Sequence, residues 1–310
     1  MNTAITTPRS RAYFQLMRPA NIVTAWADIL AGLAASGSIA LANQAVIEGS
    51  TPDNLISSIA WLLLSTTGLY GGGVIFNDVF DAEIDAIERP ERPIPSGRVS
   101  RKEAVSIGSL FLCVGILAAL QVSWLSAALA CSIAAAALLY DAWGKHHPVF
   151  GPFNMGLCRG CNLLLGLSAI SSAIAEYWLL ALIPIVYIAA ITTLSRGEVH
   201  GGKASTGIIA LLLISTVIAG LLGLSLLNNY HLLAALPFVI LLAVRVLLPF
   251  IKAVSKPSPE NIRIAVRAGI LSLIVLDATV ASGFAGLPYG FIVLLLLPVS
   301  IALSKIFAVT

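Results

Sequence analysis

The sequence predicts an all-α integral membrane protein, a single polytopic domain over residues 1–310 with about nine, at most ten, membrane-spanning helices. Three observations predict it. Hydrophobic residues make up 58% of the chain and charged residues 11%, with a mean hydropathy of +0.94, against roughly 45–50% and about 25% in soluble domains. Uncharged runs recur at the length that crosses a hydrocarbon core, about 20 residues. The basic residues collect in alternate loops. Against 15 Asp+Glu, the 18 Lys+Arg leave a net charge of only +3, scattered among apolar blocks, which argues against a nucleic-acid partner.

The first span is read at 21–42, behind Arg9, Arg11 and Arg18. It is longer than a signal-peptide core and no small-residue cleavage site follows, so the N-terminus is expected to stay in the protein. The second is read at 54–76. Residues 104–140 hold no Asp, Glu, Lys or Arg and divide into spans at 104–121 and 122–140. Spans at 154–172 and 176–194 follow, and the uncharged stretch 204–244 supplies 208–227 and opens 232–251. The last two are 264–284 and 287–307, the final one either a tenth span or a segment that dips in and returns. With a cytoplasmic N-terminus, 15 of the 18 Lys/Arg fall on that side and the opposite loops carry none, as in a bacterial inner membrane. All long polar loops then share one face, which implies a one-sided site. Trp26, Trp61, Trp124, Trp143 and Trp178 lie mostly near span ends, where interfacial anchors sit.

Cys113, Cys131, Cys158 and Cys161 all lie in apolar stretches, a poor setting for a disulfide framework or a zinc site. Without a βαβ pattern around them, Cys158 and Cys161 read as small hydrophobes one helical turn apart. Adjacent His146 and His147 have no further ligand at metal spacing and read as a solvated pair. Asp28, Arg159, Arg245 and Asp277 fall inside spans and need partners there. Arg245 and Asp277 are expected to pair with each other.

Span two ends in Gly68-Leu69-Tyr70-Gly71-Gly72-Gly73 and runs into Asn77-Asp78-Val79-Phe80-Asp81-Ala82-Glu83-Ile84-Asp85. If the helix continues, Asn77, Asp81 and Asp85 share a face, with Asp78 one turn before Asp81. Oxygen ligands of this kind suit Mg²⁺, which takes one or two carboxylates beside waters and phosphate oxygens. Prolines at 90, 93 and 95 keep the next loop out of helix, and Arg89, Arg92 and Arg98 there offer paired hydrogen bonds to phosphate. Together these read as a diphosphate site at the membrane surface. Acids and arginines that merely pair in a solvated helix cap would leave the four-residue acidic spacing unexplained. Gly68 and Gly72 fit helix packing equally well. Tyr70 and Phe76, on the two turns before Asn77, are read as lining the path of an allylic cation.

Asn77-Asp78-x-x-Asp81-x-x-x-Asp85 with Arg89-x-x-Arg92-Pro93-Ile94 and Gly97 resembles the first aspartate-rich motif of the UbiA family of membrane prenyltransferases. Arg18-Pro19-x-Asn21, Tyr140 with Lys145, and Gly156-Leu157-x-Arg159-Gly160 are similar to other family motifs, so the resemblance runs from about residue 13 to 210. It implies a bundle around a central cavity, capped by cytoplasmic loops at 77–103 and 195–207. It also implies Mg²⁺-dependent ionisation of an isoprenyl diphosphate and capture of the allylic cation by a membrane-soluble or amphipathic acceptor. Carried over by position, Asn77, Asp81 and Lys145 would act at the reacting diphosphate. Asn77, Asp78, Asp81, Asp85 and Glu198 would hold metal. Arg89, Arg92, Tyr140, Arg159, His200 and Lys203 would bind substrate.

The second acidic motif departs from the family pattern. In Ser195-Arg196-Gly197-Glu198-Val199-His200-Gly201-Gly202-Lys203, Glu198 replaces the first aspartate and Gly202 stands where the second would be. One Mg²⁺ site is therefore carried over in full and the second lacks a ligand. His200 reads either as a polar loop residue or as a general base or altered ligand. This stretch and residues 140–148 are most similar to the EboC-type branch of the family. Asp141 is a further candidate beside the diphosphate, and Asp28 either lines the cavity or meets a polar group of the acceptor. The competing reading is a non-catalytic carrier or transporter of a prenyl lipid or other amphipathic small molecule.

Overall fold

The computed structural model describes residues 9–47, 53–199 and 201–307, and every regular element among them is helical. In chain order the helices are α1 (Arg9–Met17), α2 (Pro19–Ala35), α3 (Ser38–Ile47), α4 (Asp53–Phe80), α5 (Ala82–Glu88), α6 (Arg101–Leu120), α7 (Trp124–Ala142) and α8 (Phe150–Leu167). They continue with α9 (Ser171–Tyr177), α10 (Leu182–Ser195), α11 (Ala204–Gly223), α12 (Leu232–Ser255), α13 (Pro259–Ala285), α14 (Leu287–Leu294) and α15 (Leu296–Ile306). Eight helices among the described residues are long and apolar enough to cross a membrane, and a bent pair makes up to nine, which defines an integral, multi-pass membrane protein. Shorter α8, with Asn154, Arg159 and Asn162 among its buried residues, lies between α2, α7 and α10.

Local chemistry sets several boundaries. Ser100 and Glu103 close a capping box at the start of α6, and Ser258 caps α13 just before Pro259. The expected continuous span 21–42 is instead two helices bent by 63°, with Gly37 at φ +83° between them. Only glycine takes that conformation without a Cβ clash. At the other end of the chain, α14 and α15 follow one another as a single 20-residue span.

Close helix contacts rest on small residues. A Cβ on Gly68 would lie 2.5 Å from the Phe111 carbonyl oxygen, and one on Gly115 2.9 Å from the Ser65 oxygen, so α4 and α6 meet backbone to backbone. Gly68 and Gly72 thus serve packing. Gly32 of α2 and Gly166 of α8 meet in the same way. The centre of the bundle is α13: 78% of its most apolar stretch is buried, against 22–44% for the other spans. It packs on α2, α10, α12 and α14. Trp124, Trp143 and Trp178 stand exposed at helix ends, whereas Trp26 turns inward and donates to Thr67 Oγ1 at 2.8 Å.

Candidate active site

One face of α4 supplies the spine of a cavity of about 420 Å³. Thr66, Leu69, Tyr70, Gly73, Val74 and Asn77 line it at positions i, i+3, i+4, i+7, i+8 and i+11, the repeat of a single helical face, and Asp81 continues the line. Phe76 falls off that stripe. Its ring packs against Gly108 of α6, which corrects its expected place beside an allylic cation. Opposite α4, the end of α7 and the turn after it bring Tyr140, Asp141 and Lys145, and α8 brings Met155, Cys158, Arg159 and Asn162. Ile188, Ile191, Val266, Ile270 and Leu273 from α10 and α13 make an apolar wall. The cavity is therefore charged toward the loops and largely hydrocarbon inside.

The stripe of Asn77, Asp78, Asp81 and Asp85 divides in two. Helix α4 stops at Phe80 and Asp81 opens α5, so the chain turns before Asp85. Asn77 and Asp81 face the cavity. Asp78 is gripped by Arg18 at 2.8 Å and Arg92 at 3.3 Å, and Asp85 by Arg92 at 2.6 Å. The structure thus sets Asp78 and Asp85 among arginines that brace the loop, away from the Asn77–Asp81 face. Arg18 holds its grip from a left-handed backbone, φ +46°, between α1 and α2. A non-glycine residue in that conformation marks stored strain. Arg89 is the freer cation: it lines the cavity, is 41% exposed at its side chain and reaches Asp85 only at 3.9 Å.

Across the mouth, Lys145 pairs with Asp81, and Asn77 Nδ2 donates to Asp141 Oδ1 at 2.8 Å. Glu198 enters from the loop after α10, and its Oε1 is buried with no hydrogen-bond partner among the described residues. Burial raises its pKa above the ordinary carboxylate value, opposed by Arg89 and Arg263. That loop folds back on itself: a Cβ on Gly197 would lie 2.9 Å from Gly202 Cα, and one on Gly202 3.1 Å from Ile262 Cδ1. Gly202 is thereby a packing position against α13. Lys203 is exposed at the start of α11 and does not line the cavity. His200 lies outside the described residues.

Deeper in, Arg159 is 5% exposed and donates to the carbonyl and hydroxyl oxygens of Thr24 at 3.1 Å each, with Asp28 Oδ2 3.2 Å from its Nε. Its guanidinium lies 5.7 Å from the centre of the Tyr70 ring. Asn162 joins Asp28 to Thr66, donating to one at 2.8 Å and accepting from the other at 2.8 Å. Asp28 is fully buried behind the cavity wall, and Asp277 lies beside it. Arg245 instead donates to Ser272 at 3.3 Å, so the expected Arg245–Asp277 pair does not form. The register of α12 against α13 decided this, and spacing along the sequence carries no information about it. The Asp28–Asn162–Thr66 chain was missed as a network, although a carboxylate and an amide inside apolar spans are its visible signal.

The donor set suits a hard cation. Among the described residues no three His, Cys, Asp or Glu side chains converge to cage a metal unaided, but Mg²⁺ takes one or two carboxylates and fills its remaining positions with water and phosphate. Asn77, Asp81 and the unpartnered Glu198 oxygen provide such donors, with cations nearby for an anion.

The fold and site define a polytopic membrane protein whose helices enclose an apolar cavity with acidic and basic side chains at its loop-side mouth. The chain belongs to the UbiA prenyltransferase family, which it matches over residues 29–266. It is 33% identical over 163 residues to digeranylgeranylglyceryl phosphate synthase of Methanosarcina mazei, covering 51% of this chain and 54% of that one. It is 35% identical over 183 residues to the synthase of the same name from Methanothrix thermoacetophila, covering 59% and 61%. The chain thus spans somewhat over half the length of these curated relatives. Among solved structures, an apo UbiA homologue from Aeropyrum pernix superimposes with a TM-score of 0.65 at 15% identity, over 85% of this chain and 97% of that one. A digeranylgeranylglyceryl phosphate synthase superimposes at 0.64 and 18% identity, over 89% and 99%. These likenesses show the fold.

Proposed function

We propose that the protein transfers an isoprenyl group from an isoprenyl diphosphate to a membrane-soluble acceptor in a Mg²⁺-dependent reaction. The observation that carries this reading is the cavity's polarity: Asn77, Asp81 and Glu198 with Arg89 and Lys145 at the mouth, an apolar wall from α10 and α13 within. An allylic diphosphate has the same polarity. Its carbon–oxygen bond breaks to leave diphosphate and an allylic cation; the acceptor then bonds to that carbon and loses a proton. Mg²⁺ held by Asn77 and Asp81, with Glu198 as the carboxylate of the second acidic segment, would neutralise charge on the departing oxygens. Lys145 and Arg89 would hold the same oxygens. Their effect is greatest in the transition state, where that charge grows. The hydrocarbon wall keeps water from the cation. Asp78 and Asp85 act one step back, holding Arg92, which itself lines the cavity, and bracing the loop that carries Arg89.

The motif at 195–203 and residues 140–148 support placement in the EboC-type branch, with the acceptor unidentified. The Lys/Arg distribution supports a cytoplasmic N-terminus and mouth, in a bacterial inner membrane. One observation favours a carrier instead: the second acidic segment brings a single carboxylate to the cavity. Diphosphate release separates the two. Protein in nanodiscs is incubated with Mg²⁺, allylic diphosphates of graded length and a membrane-lipid extract. Release that needs Mg²⁺ and is lost in Asp81→Asn supports transfer; Mg²⁺-dependent binding without release supports the carrier; absence of binding refutes the site.

A further inference from the structure

Asn77 is the cavity-facing amide of the acidic segment, and its two ends are opposite in character. The NH₂ group only donates and the oxygen only accepts, so the end turned to the cavity decides whether the residue can ligate a cation. The last side-chain torsion of Asn is soft and roughly two-fold, and helix geometry does not choose between the ends. Asp141 chooses. It is 4% exposed, sits at the end of α7 and accepts the Asn77 Nδ2–H at 2.8 Å. In its ionised form this carboxylate offers only lone pairs, so it holds the NH₂ end and not the oxygen. Asn77 Oδ1 is left on the other branch of the amide, with no hydrogen-bond partner among the described residues.

We propose that Asp141 is a positioning residue that turns the Asn77 oxygen toward the bound cation. The proposal rests on the metal-dependent reading above. Because the bond joins α4 to α7, it also fixes the Asn77 side chain against the opposite wall of the mouth. A group that orients a metal ligand in this way typically contributes 10–100-fold in metal affinity.

The test uses full-length protein in nanodiscs, Mn²⁺ as the spin probe, and geranyl S-thiolodiphosphate as an unreactive anion. In Asp141→Asn the new amide can donate to the Asn77 oxygen and turn it away, so Mn²⁺ affinity falls about 10–100-fold. Asn77→Asp alone also weakens binding, since two carboxylates then face each other across the mouth. The reciprocal double variant, Asn77→Asp with Asp141→Asn, restores the bond with its donor and acceptor exchanged. It should bind Mn²⁺ within about threefold of the parent, well inside the loss of either single variant. Restoration also shows that the losses are not misfolding. Parental affinity in Asp141→Asn overturns the proposal. So does tighter binding in Asn77→Asp, which would make Asp141 a direct ligand. If the parent itself binds no Mn²⁺, with or without the anion, the metal-dependent reading fails as a whole.

Discussion

Replacing Gly68 by alanine tests whether helix packing sets the geometry of the mouth. The added Cβ would sit 2.5 Å from the Phe111 oxygen, 2.7 Å from Gly115 N and 2.8 Å from Gly115 Cα, all of them backbone atoms. No side chain can step aside. A relaxed carbon–oxygen contact begins near 3.3 Å, so α4 and α6 must part by about 0.8 Å. Overpacking of this kind destabilises by about 1–3 kcal/mol. The same displacement is carried along α4 to Asn77, nine residues or about 13 Å further on. A misplacement approaching 1 Å at reacting groups can lower rate by about 10²-fold. The assay pairs thermal unfolding in nanodiscs with Mg²⁺-dependent diphosphate release, using Gly220→Ala, where nothing lies within 4 Å, as the control. Equal stability and release in the two variants would refute the idea that backbone contact between α4 and α6 holds the acidic segment in place.

Three further outcomes are expected. Asp78→Asn should destabilise by about 3 kcal/mol in chemical unfolding, because it leaves Arg18 and Arg92 short of their buried counter-charge. Arg89→Ala should weaken diphosphate binding in direct titrations while the unfolding midpoint holds, since its ion pair with Asp85 is long and its own side chain is 41% exposed; the reverse result would make it structural. Burial raises the Glu198 pKa above the unfolded value of 4.5, so the folded state binds the extra proton between the two values. Stability should therefore fall as pH rises from 4.5 through the folded pKa, and Glu198→Gln should flatten that slope in pH-dependent unfolding.

Hydropathy made the spans legible because crossing a bilayer demands long uncharged runs whatever the neighbours. The cavity-facing pair Asn77 and Asp81 was legible for a similar reason: a spacing of four keeps residues on one helical face. Asp85 was not, because that spacing projects correctly only while the helix lasts, and α4 ends at Phe80. Nothing local in Val79-Phe80-Asp81 announces the stop. The division of labour among the arginines was hidden too, since Arg18 reaches Asp78 from sixty residues away. The bend at Gly37 had a signal in Ser36-Gly37-Ser38, which the apolar run around it masked.

The burial of α13 bears on how the sequence can drift. A helix packed on nearly every side transmits any added methyl group to several neighbours, whereas α11, α12 and the α14–α15 span present most of their surface to lipid, a liquid that yields. Larger side chains should therefore be tolerated least along α13, although it lends the cavity only aliphatic side chains. In this protein two different constraints meet: mechanical confinement along α13 and chemistry among the charged residues at the mouth.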